Sequence, residues 1–253
     1  MSGVRPLRAG IIAAGRGDRL RNGAAILKPL VPVGGRPLID HVIDSIGDAG
    51  ASSVCIIINE DSVAVRDHVS AARRPLTIRW VVESTPSSMH SFLRVLETVA
   101  DGEDQRPVLI STVDTVAPHD AYRRFVADAQ SLHERPSNGE HGASTPAVVL
   151  AVTKVTDDEK PLLVKMDGHA VVALGDAAAP SSWATAGYYL VSPVILREAD
   201  AARRDGVRAL RAFFSRLLAR GYPIAAVTVP PSIDVDRPAD VEAAEDLLKR
   251  VAL

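Results

Sequence analysis

Between residues 8 and 129, short apolar runs alternate with segments of helical period, and this alternation constrains the fold more than any other feature. The strand-like runs are Arg8–Ala14, Ser53–Ile58, Thr77–Val82 and Val108–Ser111. Helical segments follow each: Pro37–Gly50, Ser62–Ala72, Ser87–Val99 and Asp120–Ala129. In the first helix Leu38, Ile39, Val42, Ile43 and Ile46 share one face, and Gly50 supplies a stop. In the third, Met89, Phe92, Leu93 and Leu96 recur at helical spacing. Strands and helices in strict alternation predict an α/β fold, a mostly parallel sheet covered on both faces.

The rhythm changes after residue 130. Residues 131–146, SLHERPSNGEHGASTP, are polar, lack an apolar period and predict a flexible surface loop. Beyond it PAVVLAVTKV, PLLVKM, AVVALG and ATAGYYLVS read as strands with little helix between them. They predict a small, partly antiparallel sheet added to the first layer. Helices return at 193–203 and 207–220, Ile224–Val229 is a further strand, and a last helix covers about 238–250. The expectation is one domain over 1–253, with halves at about 1–130 and 146–253.

At 253 residues the chain can bury a sizeable core. Its net charge of -2 creates no field that would draw it to nucleic acid or a membrane surface. Aromatics at 4% leave little for a base-stacking surface. The apolar runs are strand-sized, no signal-peptide core is visible, and a cytoplasmic protein without a membrane partner is expected. The single cysteine, Cys55, lies in an apolar run and reads as a small buried hydrophobe.

The first strand ends in the stretch GIIAAGRGDRLRNGAAILKPL, residues 10–30. A dinucleotide fingerprint needs a third glycine where Leu20 stands, and a Walker loop needs Gly-Lys-Ser/Thr, which is absent. What remains is a turn of small residues, Ala13, Ala14, Gly15 and Gly17, whose N–H groups can face an anion. Arg19 and Lys28 add cationic side chains that could neutralise charge building on a leaving pyrophosphate. A plain glycine turn with solvated basic residues is the alternative.

The order Ala13-Ala14-Gly15-Arg16-Gly17-Asp18-Arg19-Leu20, then Lys28-Pro29-Leu30, then Val33-Gly34-Gly35-Arg36-Pro37-Leu38-Ile39 resembles the nucleotidyltransferase superfamily that makes activated sugars and alcohols. That superfamily includes MobA-like and phosphocholine cytidylyltransferase-like branches. Leu27 stands where the family usually has Pro. The resemblance implies a Rossmann-like fold and transfer of NMP from an NTP to a phosphorylated sugar or alcohol, with release of pyrophosphate. Arg19 and Lys28 would be catalytic, and Ala13, Ala14, Gly15 and Gly17 would contact the nucleotide. A molybdenum-cofactor-type nucleotidyltransferase, or a non-catalytic nucleotide or sugar-phosphate sensor, stays open beside it.

Such a transfer needs a divalent cation, and Mg²⁺ takes one or two protein carboxylates together with phosphate oxygens. Asp114 stands just past an apolar strand, where open α/β sheets bind ligands. In the segment SIDVDRPADVEAAEDLL, Asp234 and Asp236 lie two apart. The resemblance assigns Asp114 and Asp234 to Mg²⁺, with Asp236 as the fallback, and leaves Asp240 and Glu242 to cap the last helix. The histidines show no metal-ligand spacing.

After the third strand comes VVESTPSSMHSFLRVLE, where relatives carry a base-reading motif. The resemblance places Glu83 and Ser88 there. A structural role is equally available, with Ser84 or Thr85 capping the next helix. The Ser/Thr-rich form resembles the phosphocholine branch, which makes CTP a candidate. SSWATAGYYLVSP resembles the family's acceptor strand, with Thr185 and Gly187 beneath the acceptor. Lys165 is the candidate for its phosphate.

Overall fold

A computed structural model describes residues 6–15, 26–100, 104–134, 145–155 and 161–251. The first half runs β1 (Leu7–Ile12), the short β2 (Pro32–Val33) and β3 (Arg36–Pro37), α1 (Leu38–Asp48), β4 (Ala51–Ile58) and α2 (Val63–Ala71). It continues through β5 (Thr77–Val82), α3 (Ser88–Val99), β6 (Val108–Thr112), the short β7 (Thr115–Val116) and α4 (Ala121–Glu134). The second half holds β8 (Val148–Lys154), β9 (Val164–Asp167), β10 (Ala170–Leu174) and β11 (Trp183–Val191). A 3-10 turn at Pro193–Glu198 leads into α5 (Ala199–Arg204), then α6 (Leu210–Ala219), β12 (Ile224–Thr228), the short β13 (Ile233–Asp234) and α7 (Pro238–Val251).

Nine of these strands form one sheet in the order β5-β4-β1-β6-β11-β8-β12-β10-β9. β1 pairs in parallel with β4 on one side and β6 on the other. The chain winds outward from β1 through β4 to β5, then crosses back to β6. The winding reverses between β1 and β6, and the crevice outside their carboxyl ends is where open α/β sheets take ligands. The second-half strands continue this sheet. β11 lies antiparallel between β6 and β8, and β10 is antiparallel to both β12 and β9. Two small antiparallel pairs, β13-β7 and β2-β3, stand apart from it.

Alternation along the buried strands feeds two cores. In β4, Cys55 and Ile57 join one face with Phe92, Phe213 and Phe214 from α3 and α6. Val54, Ile56 and Ile58 join the other face with Ile39, Ile43 and Phe125 from α1 and α4. The burial of Leu38, Ile39, Val42, Ile43 and Ile46 on α1 follows the period of its sequence. α3 presses so closely on β1 that a Cβ on Gly10 would fall 2.1 Å from Val95 Cγ1. Cys55 is buried, and burial pushes its thiol up to about 11.

Two expectations are corrected. The predicted loop at 131–146 begins too early, because α4 continues through Ser131 to Glu134. Leu132 still packs on the core one turn beyond Ala129, which sustains the helix past its last fully buried residue. Residues 135–144 lie outside the described residues. The predicted helix at 193–203 is a 3-10 turn followed by a short α-helix, opened by Ser192 Oγ accepting from Val194 N, with Pro193 inside the first turn.

Candidate active site

The end of β1 is tied into the sheet by the N–H of Ala13, which donates to Ile57 O at 2.9 Å. Ala14 packs on the core below. Gly15 faces open space: a Cβ there would meet nothing within 4 Å among the described residues. Gly17 and Arg19 lie outside the described residues.

Lys28 opens a 3-10 turn, Lys28–Leu30, whose second residue is Pro29. The turn is closed by Leu30 N donating to Leu27 O. Lys28 is 8% exposed, a rare burial for a lysine and one that demands a partner. Its Nζ lies 2.5 Å from Asp114 Oδ2 and also donates to Asp236 Oδ1. Burial works against the ammonium, but the two carboxylates outweigh it and hold the Lys28 pKa above its ordinary value. Burial also opposes the charge on Asp114, and the adjacent Lys28 ammonium overcomes it, so the Asp114 pKa lies below its ordinary value.

Asp114 stands in the turn after β6. The turn is held to β1 by Val113 N donating to Ile12 O, and to the C-terminal segment by Val235 N donating to Asp114 O. β13 pairs with β7 so that Asp234 faces Thr115. Val235 packs inward with Val33, Leu38, Val116 and Ala244. Successive side chains of an extended stretch point to opposite sides, so Asp234 and Asp236 both turn away from that core. Asp236 reaches Lys28, while Asp234 Oδ1 accepts from Thr115 Oγ1 at 2.9 Å.

Asp240 behaves as a cap. Its Oδ2 accepts from the N–H groups of Arg237, at 2.7 Å, and Asp236, at 3.0 Å, and Arg237 Nη2 lies 2.8 Å from Oδ1. This is the reciprocal bond that an acid in the first turn gives the residue preceding a helix.

Gly187 is where β11 changes register against β8. Its φ is +81°, a conformation L side chains rarely adopt. A Cβ there would lie 1.9 Å from Thr115 Oγ1 and 3.0 Å from both Asp234 Oδ1 and Thr112 Oγ1. Thr112 Oγ1 also lies 3.0 Å from Thr115 Oγ1 and donates to Gly187 O at 3.3 Å. The glycine therefore makes room for the Thr115 hydroxyl that holds Asp234 and for the Thr112 hydroxyl beside it.

Beside these carboxylates opens a cavity of about 360 Å³. Asp234, Asp236 and Arg237 form one side, Thr185 and Lys154 another, and Ser88 and Arg211 a third. Ser88 Oγ accepts from Leu210 N, binding the start of α3 to that of α6. Glu83 is not in this wall; it pairs with Arg94 at 2.8 Å at the surface. Lys165, expected at the acceptor phosphate, is exposed on β9 at the edge of the sheet and is absent from the cavity wall. Its neighbour Val164 takes the buried side, and alternation turns Lys165 outward. The wall holds Lys154 instead. The sequence signal for it was a single cation closing the fully apolar or hydroxyl-bearing strand VVLAVTK.

Among the described residues no three His, Cys, Asp or Glu side chains gather into a metal site of their own. Asp114 beside Asp234 and Asp236 still fits a cation that draws most of its ligands from phosphates and water, as Mg²⁺ does. Among the described residues no helix is long and apolar enough to cross a membrane.

The sequence matches the MobA-like NTP transferase domain over residues 9–219. CMP-5'-(3-aminopropyl)phosphonate synthase of Streptomyces rubellomurinus is 28% identical over 86% of this chain and 32% of its own length. The bifunctional protein GlmU of Rhizobium johnstonii is 31% identical over 51% of this chain and 28% of its own. The chain thus spans about a third of the length of these curated relatives. The inositol-1-phosphate CTP transferase from T. maritima shares the fold, with a TM-score of 0.77 and 16% identity over 98% of this chain and 97% of that one.

Proposed function

The chain belongs to the MobA-like NTP transferase family, and from that premise we propose that it transfers NMP from an NTP to a phosphorylated or phosphonylated small molecule. An oxygen of the acceptor attacks the α-phosphorus of the NTP. The new P–O bond forms as the bond to the β-phosphate breaks, and pyrophosphate leaves. The acceptor oxygen is already an anion, so the protein need supply neither nucleophile nor general base.

One observation carries this reading. The buried Lys28 ammonium, Asp114 and Asp236 meet in the crevice where the winding of the sheet reverses. Ala13, Ala14, Gly15 and Gly17 would take the triphosphate along the backbone. Lys28, and in this reading Arg19, would stabilise negative charge as pyrophosphate departs. Asp114, with Asp234 or Asp236, would hold Mg²⁺, which supplies charge neutralisation on the phosphates and orients them. Thr115 holds Asp234, Thr112 supports Thr115, and Gly187 leaves space for both. Thr185 and Lys154 would face the acceptor.

CTP is the preferred donor in this reading. The relative matched over most of the chain is named for a CMP product, and the structural neighbour from T. maritima for CTP. The test is pyrophosphate release with each NTP, Mg²⁺ and a panel of phosphorylated and phosphonylated acceptors. Turnover should require Asp114. An Asp114→Ala protein that remains fully active removes the metal assignment, and tight NTP binding without turnover on any acceptor turns the reading to a sensor.

A further inference from the structure

The charges around the cavity are not compensated evenly. On the carboxylate side Asp236 is paired with Lys28, Asp240 with Arg237 and two backbone N–H groups, and Asp234 is hydrogen-bonded to Thr115. Lys154 is different. Its ammonium lies 3.9 Å from the centre of the Trp183 ring and 3.4 Å from Ser182 Oγ. Among the described residues no carboxylate lies within ion-pairing distance of it. An indole face positions a cation without cancelling its charge. Among the described residues the lysine is therefore aimed and still without a counter-charge.

Its position sets a length. Lys154 stands opposite Trp183 in the β8-β11 register, whereas Gly187, four residues further along β11, backs Asp234 and Thr115. At about 3.3 Å per residue the backbone separation is on the order of 13 Å, part of which the lysine stem spans. Between the two ends the wall is small and uncharged: Leu162, Ala184, Ala186, Thr153 and Thr185. A single phosphate reacting beside the carboxylates leaves Lys154 without an anionic partner among the described residues. Because the ring and hydroxyl hold an extended cation at the far end, the complementary ligand carries a second negative group there.

We propose that Lys154, seated on Trp183, is a specificity-determining residue that reads a second anionic group, a carboxylate or phosphate, at the end of the acceptor remote from its reacting phosphoryl group. This rests on the transferase reading above. It distinguishes the acceptor from an amine-ended one, whose distal charge Lys154 would repel.

The experiment compares 3-phosphonopropionate and 6-phosphonohexanoate with propyl- and hexylphosphonate and with 3-aminopropylphosphonate, using CTP and Mg²⁺. Each is assayed with the parent protein, Lys154→Met and Lys154→Arg. The parent should favour the carboxylated member of at least one length by tenfold or more in kcat/KM. Lys154→Met should erase that preference through KM, cost the carboxylated acceptor at least tenfold more than the neutral-ended one, and be partly rescued by Lys154→Arg. An unchanged preference in Lys154→Met, or a parent that favours the amine-ended acceptor, overturns the proposal. Calorimetric titration of the two phosphonocarboxylates in the presence of CTP and Mg²⁺ decides the matter without turnover. Binding to the parent at least fivefold tighter than to Lys154→Met supports it, and equal or undetectable binding to both rejects it. Binding that depends on Lys154 while no acceptor is ever turned over would sink the transferase reading, and with it the acceptor role of Lys154, leaving only an anion contact to a bound, unreacting ligand.

Discussion

Lys28 Nζ sits 2.5 Å from Asp114 Oδ2, an ion pair that joins two residues 86 positions apart. Asp236, 208 positions along the chain from Lys28, completes it. The ammonium lies between two carboxylates that would otherwise repel each other. A cation at this place offsets that repulsion, and the protein carries one of its own.

Removing that cation should therefore expose the need for another. Lys28→Met is expected to lower stability by roughly 1–3 kcal/mol, less than a fully buried pair because Asp236 is half-exposed. Added Mg²⁺ should then raise the melting temperature of Lys28→Met more than that of the parent. Differential scanning fluorimetry across a Mg²⁺ series measures this. Identical Mg²⁺ responses would mean that Asp114 and Asp236 do not share a cation site.

The carboxylates should also separate by role. Asp114→Asn should reduce turnover by at least a hundredfold. Of Asp234→Asn and Asp236→Asn, the one that shifts the Mg²⁺ concentration needed for half-maximal rate names the second ligand. Should neither shift it, the C-terminal segment contributes packing alone.

Gly187→Ala meets two obstacles, a positive φ and a contact of 1.9 Å with Thr115 Oγ1. The left-handed backbone costs about 1–2 kcal/mol and overpacking about 1–3 kcal/mol. The double variant with Thr115→Ala should recover the second part and not the first. Urea unfolding of the four proteins in the cycle tests this, and a single substitution that costs under 0.5 kcal/mol by the scale of ordinary surface changes would contradict the packing described.

The pH response of the pair follows from the direction of its shifts. Asp114 is depressed, so its contribution is present above the unfolded carboxylate value of about 3.9 and disappears as pH falls through the folded value. Lys28 is raised, so its contribution is present below about 10.4 and disappears as pH climbs through the folded value. In Lys28→Met nothing offsets the burial of Asp114, so the stability difference between the parent and Lys28→Met should shrink as pH falls through the raised Asp114 value of the variant. Melting curves across pH measure this, and a difference that stays constant on acidification to about pH 4 would mean that Lys28 does not hold the Asp114 charge.

Much of the fold was legible before any coordinates. The spacing of Leu38, Ile39, Val42, Ile43 and Ile46 marked the buried face of α1, and Met89, Phe92, Leu93 and Leu96 that of α3, because burial on a helix repeats within the chain itself. The end of α4 was missed because Leu132 is a single apolar residue in a polar stretch, and only its contact with the core keeps the helix going. Lys165 and Lys154 both stand on strands. They part company because β9 is an outer strand while β8 ends at the cavity.

The sequence alone determined the alternation of strands and helices and the presence of acids after β6 and before α7, since each is a local pattern set by backbone geometry and burial period. Tertiary structure alone decided that Lys28 would lie between Asp114 and Asp236, that Asp234 would instead bond to Thr115, and that Lys154 would face the cavity. Those outcomes depend on strand order and register. Both are chosen by the packing of the two cores, and no local stretch of sequence encodes them.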